Sequence, residues 1–140
     1  MTRRAAFFTA VSLLAVSSLA VLPLGFDSAR AQSAPEIKRT LLLQQDATIA
    51  GYQAATMIVI IPPGVREIRH THPGPLSVYV QEGTLTLEHE GRPTGTYKTG
   101  EAVLIESGKI HQGINLGTEP VKLVATLIAE KGKPTSAPAP

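Results

Sequence analysis

The sequence predicts an all-β domain, either a sandwich or a closed barrel, behind a removable N-terminal leader. Short apolar segments recur at regular spacing, and turns rich in glycine and proline separate them. No stretch after residue 31 has a convincing 3.6-residue apolar period flanked by helix caps. Many short strands joined by tight turns are typical of sandwiches and barrels.

The first 31 residues are predicted to be a secretory signal peptide. Arg3 and Arg4 form a basic start, residues 5–26 carry no charge, and residues 29–31 (Ala-Arg-Ala) form a small-x-small cleavage pattern. We expect cleavage after Ala31 and therefore a periplasmic or secreted protein that does not contact the membrane once the signal is removed. An uncleaved membrane anchor is the alternative, because the apolar run could nearly span a bilayer.

The leader also loosely resembles a twin-arginine signal at residues 2–7, although an ordinary basic start is preferred.

The remaining 109 residues suffice for one domain with its own core. The leader takes three arginines and one aspartate with it, which leaves ten basic and ten acidic residues. With no net charge and no basic patch, the mature chain is not expected to bind nucleic acid.

Residues 32–36 are polar and are predicted to be a flexible arm, and the β domain is predicted to span residues 37–130. Within it, residues 57–61 are apolar on both faces, as in a buried strand, and residues 84–90 alternate, as in a half-buried strand. Breaks at 62–64, 73–75, 82–83, 91–95, 107–109 and 116–118 separate the strands. The predicted strands cover residues 37–44, 54–61, 65–72, 76–81, 84–90, 102–105, 110–115 and 120–129. Residues 131–140 are rich in proline, alanine and lysine and are predicted to be a disordered tail.

Histidines provide the candidate metal ligands, because the chain contains no cysteine. His70 and His72 lie two residues apart, so on a strand both side chains point to the same face. His111, at the start of a later strand, is the candidate third ligand. His89 lies near the end of a hairpin and is expected to be a solvated rim residue.

Two segments resemble the conserved motifs of the cupin superfamily. GVREIRHTHPGPLSVYVQEG, from Gly64 to Gly83, resembles the first motif, G-x5-H-x-H-x(3,4)-E-x6-G. GEAVLIESGKIHQGIN, from Gly100 to Asn115, resembles the second, G-x5-P-x-G-x2-H-x3-N. The matching positions are Gly64, His70, His72, Gly83, Gly100, Gly108, His111 and Asn115. The resemblance, to quercetin-dioxygenase-like single-domain cupins, implies an antiparallel jelly-roll barrel of six to eight strands with a central metal.

Two positions depart from these motifs. Leu76 stands where the family has a glutamate ligand, and Glu106 stands where the second motif has proline. The implied ligand set is therefore three neutral imidazoles, which leave a divalent ion with its full charge and favour an anionic, chelating ligand. Glu106 is a candidate extra ligand or acid–base group, although a solvated turn residue is the preferred interpretation. Glu67 is expected to be at the surface.

Strand alternation predicts a pocket lined by Ile68, Leu76, Val78 and Val80 around the metal. The first functional hypothesis is an enzyme related to non-haem metal dioxygenases, acting on a small dicarbonyl, enol or phenolic compound. The second is a non-catalytic module that binds a small ligand or a metal ion, and the third is a degenerate barrel without tight metal binding. The ion could be iron, manganese or zinc, and a homodimer is expected by resemblance only.

Overall fold

A computed structural model describes residues 35–140. The predicted signal peptide and the first three residues of the predicted arm lie outside the described residues. Residues 35–140 contain ten β-strands and no α-helix, hence no helix long and apolar enough to cross a membrane. The strands are β1 (Lys38–Asp46), β2 (Tyr52–Ile61), β3 (His70–Thr71), β4 (Leu76–Glu82), β5 (Thr84–His89), β6 (Gly95–Lys98), β7 (Ala102–Ile105), β8 (His111–Ile114), β9 (Val121–Glu130) and β10 (Ala137–Pro138).

The strands form two antiparallel five-stranded sheets. Sheet A has the order β1-β2-β9-β4-β7, and sheet B has the order β10-β3-β8-β5-β6. Neighbours in each sheet are mostly distant in sequence, as in a jelly roll. The all-β, antiparallel fold expected from the sequence is thereby confirmed.

The core lies between the inner faces of the two sheets. Along β9 every second residue is buried, from Val121 to Ala129, and β9 pairs with β2 over ten consecutive residues. Leu85 and Leu87 of β5 contribute to the same core from sheet B. The period-2 alternation of these strands therefore separates core residues from exposed ones, as expected for strands with one buried face.

Tight turns hold the strands in register. Gly83, between β4 and β5, has φ of 83°, and a Cβ on this residue would lie 2.9 Å from the carbonyl oxygen of Pro120. Only glycine satisfies both the left-handed conformation and this close approach. The turn predicted at residues 82–83 is therefore sharp, and it directs β5 into sheet B.

Three elements differ from the sequence-based expectation. The extended segment predicted over residues 65–72 forms a two-residue strand, β3, and an isolated bridge between Arg66 and Ile114. Residues 95–98, not predicted as a strand, form β6 by pairing with β5. The segment predicted to be a disordered tail contains β10, which pairs with β3 at the edge of sheet B. The pairing uses main-chain groups, which composition does not reveal.

Candidate metal centre

Two short strands of sheet B bring three histidines together. His70 begins β3, His72 follows that strand directly, and His111 begins β8. His70 and His111 are directly opposite each other in the antiparallel ladder, so their side chains share the inner face of the sheet. The ring centroid of His70 lies 4.9 Å from that of His72 and 4.3 Å from that of His111. One potential ligand atom from each ring lies within 4.8 Å of the other two.

Each of the three imidazoles is oriented by a main-chain carbonyl group. The Nδ1 atom of His70 lies 2.7 Å from the oxygen of Ile68, and that of His111 lies 3.0 Å from the oxygen of Lys109. The Nδ1 atom of His72 lies 2.6 Å from the oxygen of Thr135, in the C-terminal segment. A carbonyl oxygen only accepts, so Nδ1 carries the proton in all three rings and the lone pair resides on Nε2. This is the arrangement by which metal-binding histidines are held in other proteins.

Burial keeps two of these rings neutral. The pKa of His111 is lowered to about 4, mainly because burial penalises the charged form, and the neighbouring histidines lower it further. Burial also lowers the pKa of His72, against the opposing effect of its hydrogen bond to Thr135. At neutral pH both rings are available as ligands, because a metal ion binds the neutral imidazole. The donor set therefore fits a divalent transition metal.

The three rings face a cavity of about 770 Å³ between the two sheets. Most of its lining is apolar and comes from both sheets, which is the usual form of a small-ligand site. Leu76 and Val78 of β4 line it, and Ile68, 78% exposed, lies at its rim. Val80, predicted to line the pocket, is instead fully buried in the core and does not border the cavity. The alternation places Val80 on the inner face, but farther along the strand, within the hydrophobic core.

Glu106 lies apart from the three histidines. Its Oε2 atom is 3.0 Å from Nε2 of His89, and Oε1 is paired with Arg92. It is therefore neither part of the three-histidine group nor part of the cavity lining. The expectation that His89 is a solvated rim residue is wrong, because its side chain is only 3% exposed. His89 is directly opposite His111 in the ladder, which turns it inward.

Sequence reasoning missed a charged pair in the cavity wall. Glu67, expected at the surface, has a side chain that is 12% exposed, and its Oε1 atom lies 2.6 Å from Nη2 of Arg39 on β1. Both residues line the cavity. Arg39 is on β1 and Glu67 lies in the segment before β3, 28 residues away along the chain, so spacing in the sequence gave no signal of the pair.

Comparisons with known proteins agree with this fold. The family model described as "Cupin domain" matches residues 57–127. A conserved protein with a double-stranded β-helix domain from Klebsiella pneumoniae is similar to this chain, with 20% identity and a TM-score of 0.61. The aligned region covers 78% of this chain and 89% of the Klebsiella chain. A cupin-like protein from Thermotoga maritima is 20% identical with a TM-score of 0.58, covering 74% of this chain and 75% of its own.

An enzyme is among the structural neighbours. The DMSP lyase DddQ from Ruegeria pomeroyi is 21% identical with a TM-score of 0.55, covering 61% of this chain and 43% of its own. At these identities the structural likeness establishes the fold alone, and no curated protein matches the sequence. The family match spans half of the chain and includes all three histidines. The chain therefore belongs to the cupin family.

Proposed function

We propose that this protein is an exported single-domain cupin that binds one divalent metal ion through His70, His72 and His111. The observation that carries the proposal is the convergence of three imidazoles whose Nδ1 atoms are all engaged by main-chain carbonyls. Such rings are pre-oriented, so little conformational entropy is lost when an ion binds. Iron, manganese and zinc all accept imidazole nitrogen.

The substrate we propose is a small dicarbonyl, enol or phenolic compound that binds as an anion, with dioxygen as co-substrate. When bound, the metal would act as a Lewis acid and as a template for the substrate. The chain's own residues line the site mainly with apolar side chains, which strengthen the attraction between the charges at the site. Three neutral imidazoles do not compensate the charge of the ion, which favours an anionic ligand.

The second candidate is a non-catalytic module that binds a small ligand or a metal ion. Glu67 is a carboxylate in the cavity wall, but its Oε1 atom is paired with Arg39 and its Oε2 atom accepts a hydrogen bond from Gly113, so both oxygens are already engaged. Oxygen consumption with bound iron or manganese would support the enzyme. Bound zinc without turnover would support the module.

The deciding experiment is elemental mass spectrometry of full-length protein exported with its own leader. We expect about one iron, manganese or zinc ion per chain, lost in His70→Ala. His89→Gln is the matched control, because it removes the histidine that lies outside the ligand group. Circular dichroism checks that each variant is folded. Wild-type protein without metal, or His70→Ala with full metal content, would refute the proposed site.

Localisation is tested in the same preparation. We propose that the leader is cleaved after Ala31 and that the protein is periplasmic or secreted. Intact-mass measurement should find a chain that begins at Gln32. A chain retaining residues 1–31 in the membrane fraction would show an uncleaved anchor instead.

A further inference from the structure

We propose that Arg39 determines the substrate specificity of this site by binding a carboxylate group that the substrate carries at its end remote from the histidines. The inference rests on the proposed function, since it assigns the second contact of the ligand that the metal centre holds. The substrate class it names is a keto or enol compound with a distal carboxylate.

Arg39 introduces a cation into a cavity wall that is otherwise mainly apolar. It lies on β1, and Ile37 and Leu41, the residues two positions to either side, line the same cavity. Its side chain is 49% exposed, and Glu67 is the one hydrogen-bond partner that residues 35–140 give its guanidinium. A guanidinium has five N–H donors, so this single bond leaves donors for a ligand.

A second arginine at the cavity, Arg66, does not offer the same contact. Its Nη1 atom donates to Gln112 at 2.9 Å and lies 3.4 Å from Glu88. Gln112 alternates with His111 along β8, so its side chain is on the opposite face of sheet B. The guanidinium of Arg66 is therefore directed away from the histidines.

Glu67 holds Arg39 in position from inside the barrel. Its Oε2 atom accepts a hydrogen bond of 3.2 Å from the main-chain N–H of Gly113, two residues beyond His111 on the inner face of sheet B. A Cβ at Gly113 would lie 2.7 Å from the same oxygen, so the missing side chain provides the space for the carboxylate. A partly buried carboxylate that is held at both oxygens is a rigid anchor for the guanidinium.

The pair and the candidate ligands line one cavity. Arg39 and Glu67 border the same space as His70, His72 and His111, and Glu67 is hydrogen-bonded to the main chain two residues beyond His111. A ligand that reaches from the guanidinium of Arg39 to the ion contacts a positively charged group at each end. The planar fork of arginine matches a carboxylate, with two parallel N–H donors available to its two oxygens. A compound with an anionic chelating group and a distal carboxylate satisfies both contacts.

The test uses matched pairs of probes on Co²⁺-loaded mature protein under anaerobic conditions. 2-Oxoglutarate is compared with 2-oxopentanoate, and 2-oxoadipate with 2-oxohexanoate, so that each pair differs in the distal carboxylate. The visible absorption of Co²⁺ reports both metal loading and ligand binding without turnover. In wild type we expect the diacid of at least one pair to bind about tenfold more tightly than its partner.

Arg39→Gln should abolish this preference and leave the affinity for the monoacids unchanged. Arg39→Lys keeps the charge and should retain part of the preference, and Arg66→Gln, the matched control, should retain all of it. Equal affinity for diacid and monoacid in wild type, or a preference that survives Arg39→Gln, would overturn the inference and show that Arg39 only ties β1 to sheet B. Absence of the Co²⁺ spectrum in wild type would instead refute the proposed function and this inference with it.

Discussion

His111 is the most deeply buried of the three candidate ligands, and its burial couples folding to protonation. The residue is 3% exposed, and its pKa in the folded protein is about 4, below the ordinary value of 6.5. Below pH 6.5 the unfolded chain takes up a proton at this position that the folded chain resists. The metal-free protein therefore becomes less stable as the pH falls from 6.5 towards about 4.

This pH dependence gives a prediction for His111→Gln. The substitution should flatten the decline in the free energy of unfolding of the metal-free protein, by at most about 3 kcal/mol at the acid end of the range. Urea unfolding of chelator-treated protein at about pH 7 and about pH 4.5 measures it. An equally steep decline in the variant would show that His111 does not carry the effect.

Leu76 gives a second prediction at the scale of one residue. Its buried side chain lines the cavity at the position of the family's glutamate ligand. Leu76→Glu should destabilise the metal-free protein, because it buries a charge, and should tighten metal binding by about tenfold or more. Thermal melting and competition with a chelating dye measure the two effects. Leu76→Gln, of the same shape without the charge, is the control, and equal metal affinity in both would place position 76 out of reach of the ion.

The candidate metal centre was more predictable from sequence than the polar groups around it. The spacing of His70, His72 and His111 within two motifs pointed to one site, and the structure brings the three together. His89 and Glu67 were misjudged for a different reason. Their burial depends on which residues other strands present to them, here His111 and Gly113, and linear spacing does not report such contacts.

The C-terminal strand contributes to the candidate site, although its segment was predicted to be a disordered tail. β10 pairs with β3, and the main-chain N–H of Ala139 donates to the oxygen of Arg69, 2.9 Å away. This pairing positions Thr135 at the cavity and at Nδ1 of His72. A segment with almost nothing to bury thus helps to form the candidate metal centre through its backbone.

Deleting residues 132–140 should therefore weaken metal binding by about tenfold to a hundredfold, the usual effect of losing a hydrogen-bond partner of a metal ligand. Isothermal titration with the metal found in the native protein measures the change. Thr135→Ala is the matched control, because it keeps the carbonyl oxygen that His72 contacts, and it should bind normally. An unchanged affinity for the metal after the deletion would show that residues 132–140 are not needed for metal binding.

Among the elements, the long alternating strands were the easiest to predict. β9 was expected over residues 120–129 and spans Val121–Glu130, and β4 was expected over residues 76–81 and spans Leu76–Glu82. β6, with four residues, and β10, with two, owe their form to pairing with β5 and β3. Their own sequences carry too little hydrophobic alternation to reveal them.

At the scale of the whole molecule, β1 leaves sheet A with a long exposed edge. All nine of its residues are exposed, including Leu41, Leu42 and Leu43, and a register shift interrupts its pairing with β2 between Leu41 and Leu43. An exposed edge strand with apolar side chains is a template for pairing with another chain. We therefore propose that this edge forms the interface of the homodimer expected by resemblance.

We predict that the mature protein sediments as a dimer at micromolar concentration and that Leu42→Lys shifts it to the monomer. A lysine on an edge strand disfavours pairing of that strand with another chain, because its charge would have to be buried at the interface. Sedimentation velocity measures the change. Leu104→Lys, on β7 at the opposite edge of the same sheet, is the control and should remain dimeric. A monomeric wild type would refute the proposal.

The three carbonyl groups that orient the imidazoles belong to the backbones of Ile68, Lys109 and Thr135. The side chains of Ile68, Lys109 and Thr135 take no part in these three hydrogen bonds, so almost any residue at those positions preserves them. Amino-acid substitutions at residues 68, 109 and 135 should therefore leave the orientation of the three imidazoles unchanged. Most substitutions in a saturation library at these three positions should leave metal binding unchanged. A one-residue insertion or deletion beside any of them should weaken metal binding, because it displaces the carbonyl group that orients the imidazole.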